Sequence, residues 1–162
     1  MGSQSSIKVT DPSGVRNVVL VGSSGSGKTT LFEHLLRSRV HGYRGEKEDL
    51  ERNSALQVAA LQLDGMVLNL LDAPGHPDFV GELRAGLRAA DAAVFVISAS
   101  DGLDPATAAL WRECAEVKLP RAICITKLDD GRISFDEALE NIQSVLGQSV
   151  QPAYVPVTSG NQ

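Results

Sequence analysis

The sequence has little cysteine, no long apolar segment and no excess of basic residues. Its two cysteines, Cys114 and Cys124, have no partners at metal-ligand spacing. We expect both to be small buried hydrophobic residues in a reducing, cytoplasmic setting. No apolar run approaches the roughly 20 residues of a membrane helix, and the N-terminus does not resemble a signal peptide. The formal net charge of −5 argues against direct DNA binding through the overall field of the protein.

The length of 162 residues suits one domain with a sizeable core, and 43% of the residues are hydrophobic. No internal repeat and no long linker divides the chain. We expect residues 1–14 to be a disordered tag or arm and residues 15–162 to form the single domain.

Apolar segments alternate between the spacing of strands and the spacing of helices. Strands are predicted at residues 17–21, 56–63, 66–71, 92–97, 121–126 and 153–157. Helices are predicted at residues 29–39, 79–90, 105–117 and 134–147, and the charged stretch at 41–53 is predicted to be a mobile loop or a partly helical excursion. Asp64-Gly65 between two strands indicates a hairpin. The pattern predicts an α/β fold whose mostly parallel, six-stranded sheet has one antiparallel edge strand.

The first predicted strand leads into a glycine-rich loop. Residues 22–29 read Gly-Ser-Ser-Gly-Ser-Gly-Lys-Thr and match in full the P-loop pattern, which requires this strand–loop–helix context. The backbone N–H groups of such a loop cradle phosphates, Lys28 brings a positive charge to the β- and γ-phosphates, and the Thr29 hydroxyl ligates Mg²⁺. The predicted nucleotide-binding residues here are Gly22, Ser23, Ser24, Gly25, Ser26, Gly27, Lys28 and Thr29.

A second motif, Asp-Ala-Pro-Gly-His at residues 72–76, ends the strand predicted at 66–71. An aspartate there can hold Mg²⁺ through water, which makes Asp72 and Thr29 the candidate metal residues. The backbone N–H of Gly75 is a candidate sensor of the γ-phosphate. Taken alone, the motif also fits a turn capped by Asp72 and punctuated by Pro-Gly.

A third motif, Thr126-Lys127-Leu128-Asp129, ends the strand predicted at 121–126. A carboxylate at Asp129 can accept from N1–H and from the exocyclic amine of guanine, whereas adenine has no such donor pair. The stem of Lys127 can lie across the base. In isolation, a strand end followed by solvated charges explains these four residues equally well.

In this order, the three motifs resemble the GTPase domain of translational GTPases, most closely the elongation factor G-like group. The resemblance covers residues 15–159, and its most specific part is Pro-Gly-His-Pro-Asp-Phe at residues 74–79. It implies a Ras-like P-loop NTPase fold with helices on both faces of the sheet, and a domain that binds GTP or GDP with Mg²⁺. For the full-length protein it implies the ribosome as the partner that stimulates hydrolysis.

The resemblance also implies roles for single residues. His76 stands where the family places the residue that orients the attacking water, and it is the candidate catalytic residue. The nucleotide-binding set also includes Gly75, Lys127 and Asp129 from the second and third motifs, and the resemblance adds Thr30, Thr126, Thr158, Ser159 and Gly160. Isolated domains of this type hydrolyse GTP slowly, on the order of 10⁻⁴ per second, so we expect slow turnover.

The sequence departs from the family pattern in four places. Gly25 stands where most members carry aspartate, and Thr126 replaces the usual asparagine. Ala55 aligns with a threonine that ligates Mg²⁺, with Ser54 as its neighbour. The final helix of a Ras-like fold is expected to be missing, which would leave apolar surface uncovered and favour self-association through one sheet face.

Three functional hypotheses follow. The first is a slow GTPase of the elongation factor G-like kind, favoured by Asp129 and the motif at 72–76. The second is a non-hydrolysing GTP-binding module with a degenerate switch I, favoured by Gly25 and Ala55. The third is an adenine-nucleotide kinase or ATPase that uses the same P-loop, for which nothing else in the sequence argues.

Overall fold

The computed structural model describes residues 11–40, 43, 56–63, 65–75 and 80–157. Several features singled out in the sequence lie outside these residues: nearly all of the charged stretch at 41–53, Ser54, Ala55, Asp64, residues 76–79 with His76, and the final loop with Thr158, Ser159 and Gly160. At the end of the predicted arm, Pro12–Gly14 form a short 3-10 turn, because the carboxylate of Asp11 accepts a hydrogen bond from the Ser13 N–H at 2.8 Å. Ordered structure is therefore present before the predicted boundary at residue 15.

Within the residues described, a five-stranded sheet forms the centre of the fold, in the order β2-β3-β1-β4-β5. Its strands are β1 (Val15–Val21), β2 (Gln57–Leu63), β3 (Met66–Asp72), β4 (Ala92–Ser98) and β5 (Arg121–Thr126). β1 pairs in parallel with β3 and β4, and β4 pairs in parallel with β5. The parallel strands therefore end at one edge of the sheet, so the loops that follow them lie close together.

Among the described strands, the single antiparallel pair is β2 with β3, in a register that places Leu63 opposite Met66. Gly65, in the connection, has φ +85°, a left-handed conformation that glycine adopts without a side-chain clash. The predicted hairpin and its antiparallel edge strand are thus confirmed.

The described part of the chain contains four α-helices, which connect or flank the strands. They are α1 (Lys28–Arg39), α2 (Val80–Ala89), α3 (Pro105–Glu116) and α4 (Phe135–Leu146). The predicted capping box opens α4, since the Ser134 hydroxyl accepts from the Glu137 N–H at 3.2 Å while the Glu137 carboxylate accepts from the Ser134 N–H at 2.9 Å. No helix among the described residues is long and apolar enough to cross a membrane.

Side chains of β1 alternate between the two faces of the sheet and so divide the core in two. Leu20 packs on one face with Phe32 and Leu36 of α1. The opposite face carries a cluster from the sheet, α2 and α3: Val19, Val21, Leu71, Ala73, Leu83, Ala93, Phe95, Leu110 and Cys114. The predicted helices on both faces are therefore confirmed.

The predicted sixth strand at 153–157 is wrong, because among the described residues the sheet ends at β5. Pro156 has no backbone N–H for a strand ladder. Tyr154 and Val157 are 91% and 93% exposed, so the segment buries little apolar surface to offset the loss of backbone entropy. A groove of about 970 Å³ lies between this segment, β5 and α4. Self-association through this surface stays a prediction.

Candidate functional site

The P-loop connects β1 to α1, and its three glycines, Gly22, Gly25 and Gly27, all have positive φ. Gly22, at φ +154°, passes so close to the carbonyl oxygen of Val96 that a Cβ would collide with it. Gly27, at φ +92°, is the N-cap of α1, and its backbone places Lys28 at the first position of the helix. The N–H groups of this first turn have no partners within the helix, which is the general basis of anion binding at such a turn.

Lys28 is buried although it carries a charge, with only 6% of its surface exposed. Its Nζ donates a hydrogen bond to the carbonyl oxygen of Ser23 at 2.7 Å, inside the loop. Burial lowers the pKa of Lys28 because it disfavours the ammonium form, while the carboxylates of Asp72 and Asp104 partly oppose this shift. A phosphate group beside Nζ would supply the negative charge that favours the protonated form.

Thr29 and Asp72 meet although 43 residues separate them in sequence. The Thr29 hydroxyl donates to Asp72 Oδ2 at 2.7 Å, and Asp72 is 3% exposed. Burial raises the pKa of Asp72; the hydrogen bond from Thr29 and the charge of Lys28 act in the opposite direction. The other carboxylate oxygen, Oδ1, is buried and has no hydrogen-bond partner among the described residues.

Gly75 lies directly against the P-loop. A Cβ at this position would stand 2.5 Å from Lys28 Nζ and 2.8 Å from the backbone nitrogen of Ser24. Only a residue without a side chain fits so close to the loop, so a glycine is required here. The loop after β3 is therefore in contact with the residues predicted to hold the phosphates.

The third motif follows β5 and is joined to the P-loop through Thr126. The Thr126 hydroxyl lies 2.7 Å from the carbonyl oxygen of Ser26, to which it donates. The next residue, Lys127, has φ +57° and directs its Nζ to the carboxylate of Asp101 at 3.1 Å. Asp129 is exposed, within a short 3-10 turn at Leu128–Asp130. Its carboxylate is thus accessible to a ligand.

Sequence reasoning missed two aspartates that the fold brings to this site. Asp101 follows β4; hydrogen bonds from Ser98 and from Lys127 lower the pKa of its carboxyl. Asp104 caps α3 by accepting from the Thr107 N–H at 3.0 Å, and its charge acts on Lys28. The helix-capping role was readable from Asp104 followed by Pro105. Its electrostatic effect on Lys28 depends on the packing of β4 beside β1.

Other predicted site residues contribute less to this cluster. Gly25 has φ +78° with open space where a Cβ would stand, and Thr30 is exposed on α1. Ser26 is 1% exposed, and its hydroxyl has no hydrogen-bond partner among the described residues. No group of three or more His, Cys, Asp or Glu side chains within the described parts of the chain forms a metal-binding cluster.

Comparisons with known proteins agree with this geometry. A family model described as the elongation factor Tu GTP-binding domain matches residues 13–161. An elongation factor G-like protein of Mycobacterium tuberculosis is 49% identical over 163 residues, which cover 92% of this chain and 23% of that protein. Elongation factor G of Mycoplasma pneumoniae is 31% identical over 160 residues, 90% of this chain and 23% of the relative. The chain thus spans about a quarter of the length of these curated relatives.

Solved structures share the fold. A crystal structure of a Thermus thermophilus protein matches 82% of this chain and 22% of its own with a TM-score of 0.73 at 40% identity. The elongation factor SelB of Methanococcus maripaludis, in complex with the GTP analogue GppNHp, matches 80% of this chain and 25% of its own with a TM-score of 0.65 at 22% identity. The chain therefore belongs to the family of the elongation factor Tu GTP-binding domain, the GTP-binding domain of translational GTPases.

Proposed function

We propose that the domain formed by residues 15–162 binds GTP and GDP together with Mg²⁺ and hydrolyses GTP slowly. One observation supports this most directly: Lys28, the Thr29–Asp72 pair and Gly75 come together at the carboxyl end of the parallel strands. A buried cation, a pair of oxygen ligands and a glycine backbone are the parts that phosphoryl-transfer sites of the P-loop class require.

The residues fit a Mg²⁺ ion. Mg²⁺ prefers oxygen ligands, retains several waters and is usually held by one or two protein oxygens plus the phosphates of the nucleotide. Thr29 offers a hydroxyl, and the buried Oδ1 of Asp72, which has no partner among the described residues, is the kind of atom that a hydrated cation satisfies. When bound, the ion would neutralise charge on the phosphates, and Asp72 would orient the water between them.

Asp72→Asn is expected to weaken Mg²⁺ binding to the nucleotide complex by about 10- to 100-fold, the range found when an outer-shell metal partner is removed. The amide keeps the size of the side chain but loses the charge that attracts the cation. The measurement is a Mg²⁺ titration of the domain with bound fluorescent GDP. Asp136→Asn, an exposed carboxylate on α4, is the matched control; an unchanged Mg²⁺ dependence in Asp72→Asn would show that this carboxylate is not at the metal.

The guanine base is proposed to bind at Asp129. The carboxylate is exposed in the 3-10 turn that follows β5, and the hydrogen bond from Thr126 to Ser26 fixes the end of this strand beside the P-loop. A base held there and phosphates held at Lys28 would belong to one nucleotide. The final loop at Thr158, Ser159 and Gly160 is proposed to complete the base pocket.

Hydrolysis is proposed to depend on His76, which in the sequence directly follows Gly75, the glycine that lies against the P-loop. We expect His76→Ala to leave GDP affinity within about twofold of the wild type and to slow single-turnover GTP hydrolysis by at least about tenfold, because positioning of the attacking water is a large part of phosphoryl-transfer catalysis. His34→Ala, an exposed histidine on α1, is the control. A variant that loses GDP binding would instead assign His76 a structural role.

The same assay separates the GTPase from the non-hydrolysing module that Gly25 and Ala55 favour. Wild-type turnover indistinguishable from that of His76→Ala would favour the module.

The full-length protein is proposed to act in protein biosynthesis in the cytoplasm, with the ribosome as the stimulating partner, because the relatives that the chain matches are elongation factors about four times its length.

A further inference from the structure

The motif at the end of β5, Thr126 to Asp129, contains two side chains with hydrogen-bond donors, and both donate to other groups of the protein. The Thr126 hydroxyl lies 2.7 Å from the carbonyl oxygen of Ser26 and 3.3 Å from that of Ile97. A hydroxyl has one proton, and both neighbours are acceptors, so that proton is committed to the backbone. Lys127 directs its ammonium to Asp101 at 3.1 Å.

The contact with Ser26 is a contact with the P-loop itself. Ser26 is 1% exposed, and its carbonyl lies immediately before Gly27 and Lys28. The Cβ and Oγ1 of Thr126 would lie 3.7 and 3.6 Å from a Cβ at Gly27, so the threonine also packs against the N-cap of α1. Removing the hydroxyl would leave the Ser26 carbonyl without this partner in a closely packed position.

A guanine base has two distinct hydrogen-bonding edges. Its N1–H and exocyclic amine are donors, which suit the carboxylate of Asp129, while N7 and O6 are acceptors and need protein donors. Since the proton of Thr126 is held by Ser26, this residue has none for N7. An asparagine at this position would have two amide protons, and it could donate one to the Ser26 carbonyl and the other to N7.

From these contacts, and resting on the proposed binding of guanine nucleotides, we propose that Thr126 is a positioning residue that holds the P-loop against β5 and leaves N7 of the base unread. Within the motif at residues 126–129, guanine is then recognised through its donor edge. Thr126 influences affinity through the phosphates, so its effect is independent of what stands at position 7 of the purine.

The test compares GDP with 7-deaza-GDP, in which a C–H group replaces N7, on the wild type, Thr126→Val and Thr126→Ser. The 162-residue chain is titrated by competition against fluorescent GDP with Mg²⁺ present. In the wild type the two Kd values should agree within about twofold. Thr126→Val should raise both Kd values by the same factor, about threefold to tenfold. Thr126→Ser should keep both Kd values near those of the wild type, because it retains the hydroxyl.

Three results would overturn the proposal. A wild-type Kd for 7-deaza-GDP at least about tenfold above that for GDP would show that N7 is read. Equal Kd values in Thr126→Val and the wild type would show that the hydroxyl does not position the P-loop. A folded Thr126→Ser variant that binds as weakly as Thr126→Val would show the same. Failure of the proposed function gives a different signature, since the wild type would then bind no GDP or would bind ADP equally well.

Discussion

Lys28→Ala is expected to lower the affinity for GDP by at least about 100-fold, which corresponds to about 2.7 kcal/mol at 25 °C. Lys28 is the buried cation of the P-loop, and it lies beside Gly75 where phosphate groups are proposed to sit. Charge-assisted bonds to phosphate in a place shielded from water are strong, because screening by solvent is weak there. The measurement is equilibrium titration with fluorescent GDP.

Arg112→Ala provides the control for loss of one positive charge, because Arg112 is exposed on α3. Its GDP affinity should equal that of the wild type. Circular dichroism should show that Lys28→Ala remains folded, since alanine is well tolerated in the first turn of a helix. Near-normal GDP binding by a folded Lys28→Ala variant would contradict the assignment of the phosphate site.

Asp129→Asn is expected to weaken GDP binding by about 100-fold or more and to improve binding of xanthosine diphosphate. The carboxylate accepts from the two donors of guanine, whereas an amide places an N–H against one of them. Xanthine has a carbonyl oxygen in place of the exocyclic amine, so it offers an acceptor that the asparagine N–H can use. The measurement is competition of both nucleotides against fluorescent GDP.

Asp130→Asn is a closely matched control, because Asp130 is the adjacent exposed carboxylate in the same 3-10 turn. It should retain the preference of the wild type for GDP. If both variants bind GDP normally, guanine is read elsewhere. If both are impaired alike, the effect comes from charge or local structure rather than from hydrogen bonds to the base.

Most of the secondary structure could be predicted because it depends on local pattern. β5 has the predicted bounds, Arg121–Thr126. The ends of the predicted helices differ from those of the observed helices by no more than one residue. The capping box and the hairpin glycine were also recognisable, since each acts over a few neighbouring residues. The segment at 153–157 was misjudged because its apolar residues suggested a strand, while Pro156 and its 62–93% exposed apolar side chains oppose pairing and burial.

The sequence by itself determined the chemical groups of the site and their order along the chain. The P-loop pattern, Asp72 and Gly75 after one strand, and Lys127 and Asp129 after another were all readable, because a motif fixes residue types at short spacing. Their roles in binding and hydrolysis are tested by the variants described above.

Only the tertiary structure decided which of these groups meet. Thr29 reaches Asp72 across 43 residues, and Thr126 reaches Ser26 across 100. Asp101 pairs with Lys127, and the charge of Asp104 acts on Lys28. These contacts depend on the strand order β2-β3-β1-β4-β5, which brings the ends of distant strands to one edge of the sheet. Burial at that edge then lowers the pKa of Lys28 and raises that of Asp72, and burial is a property of packing that no local pattern contains.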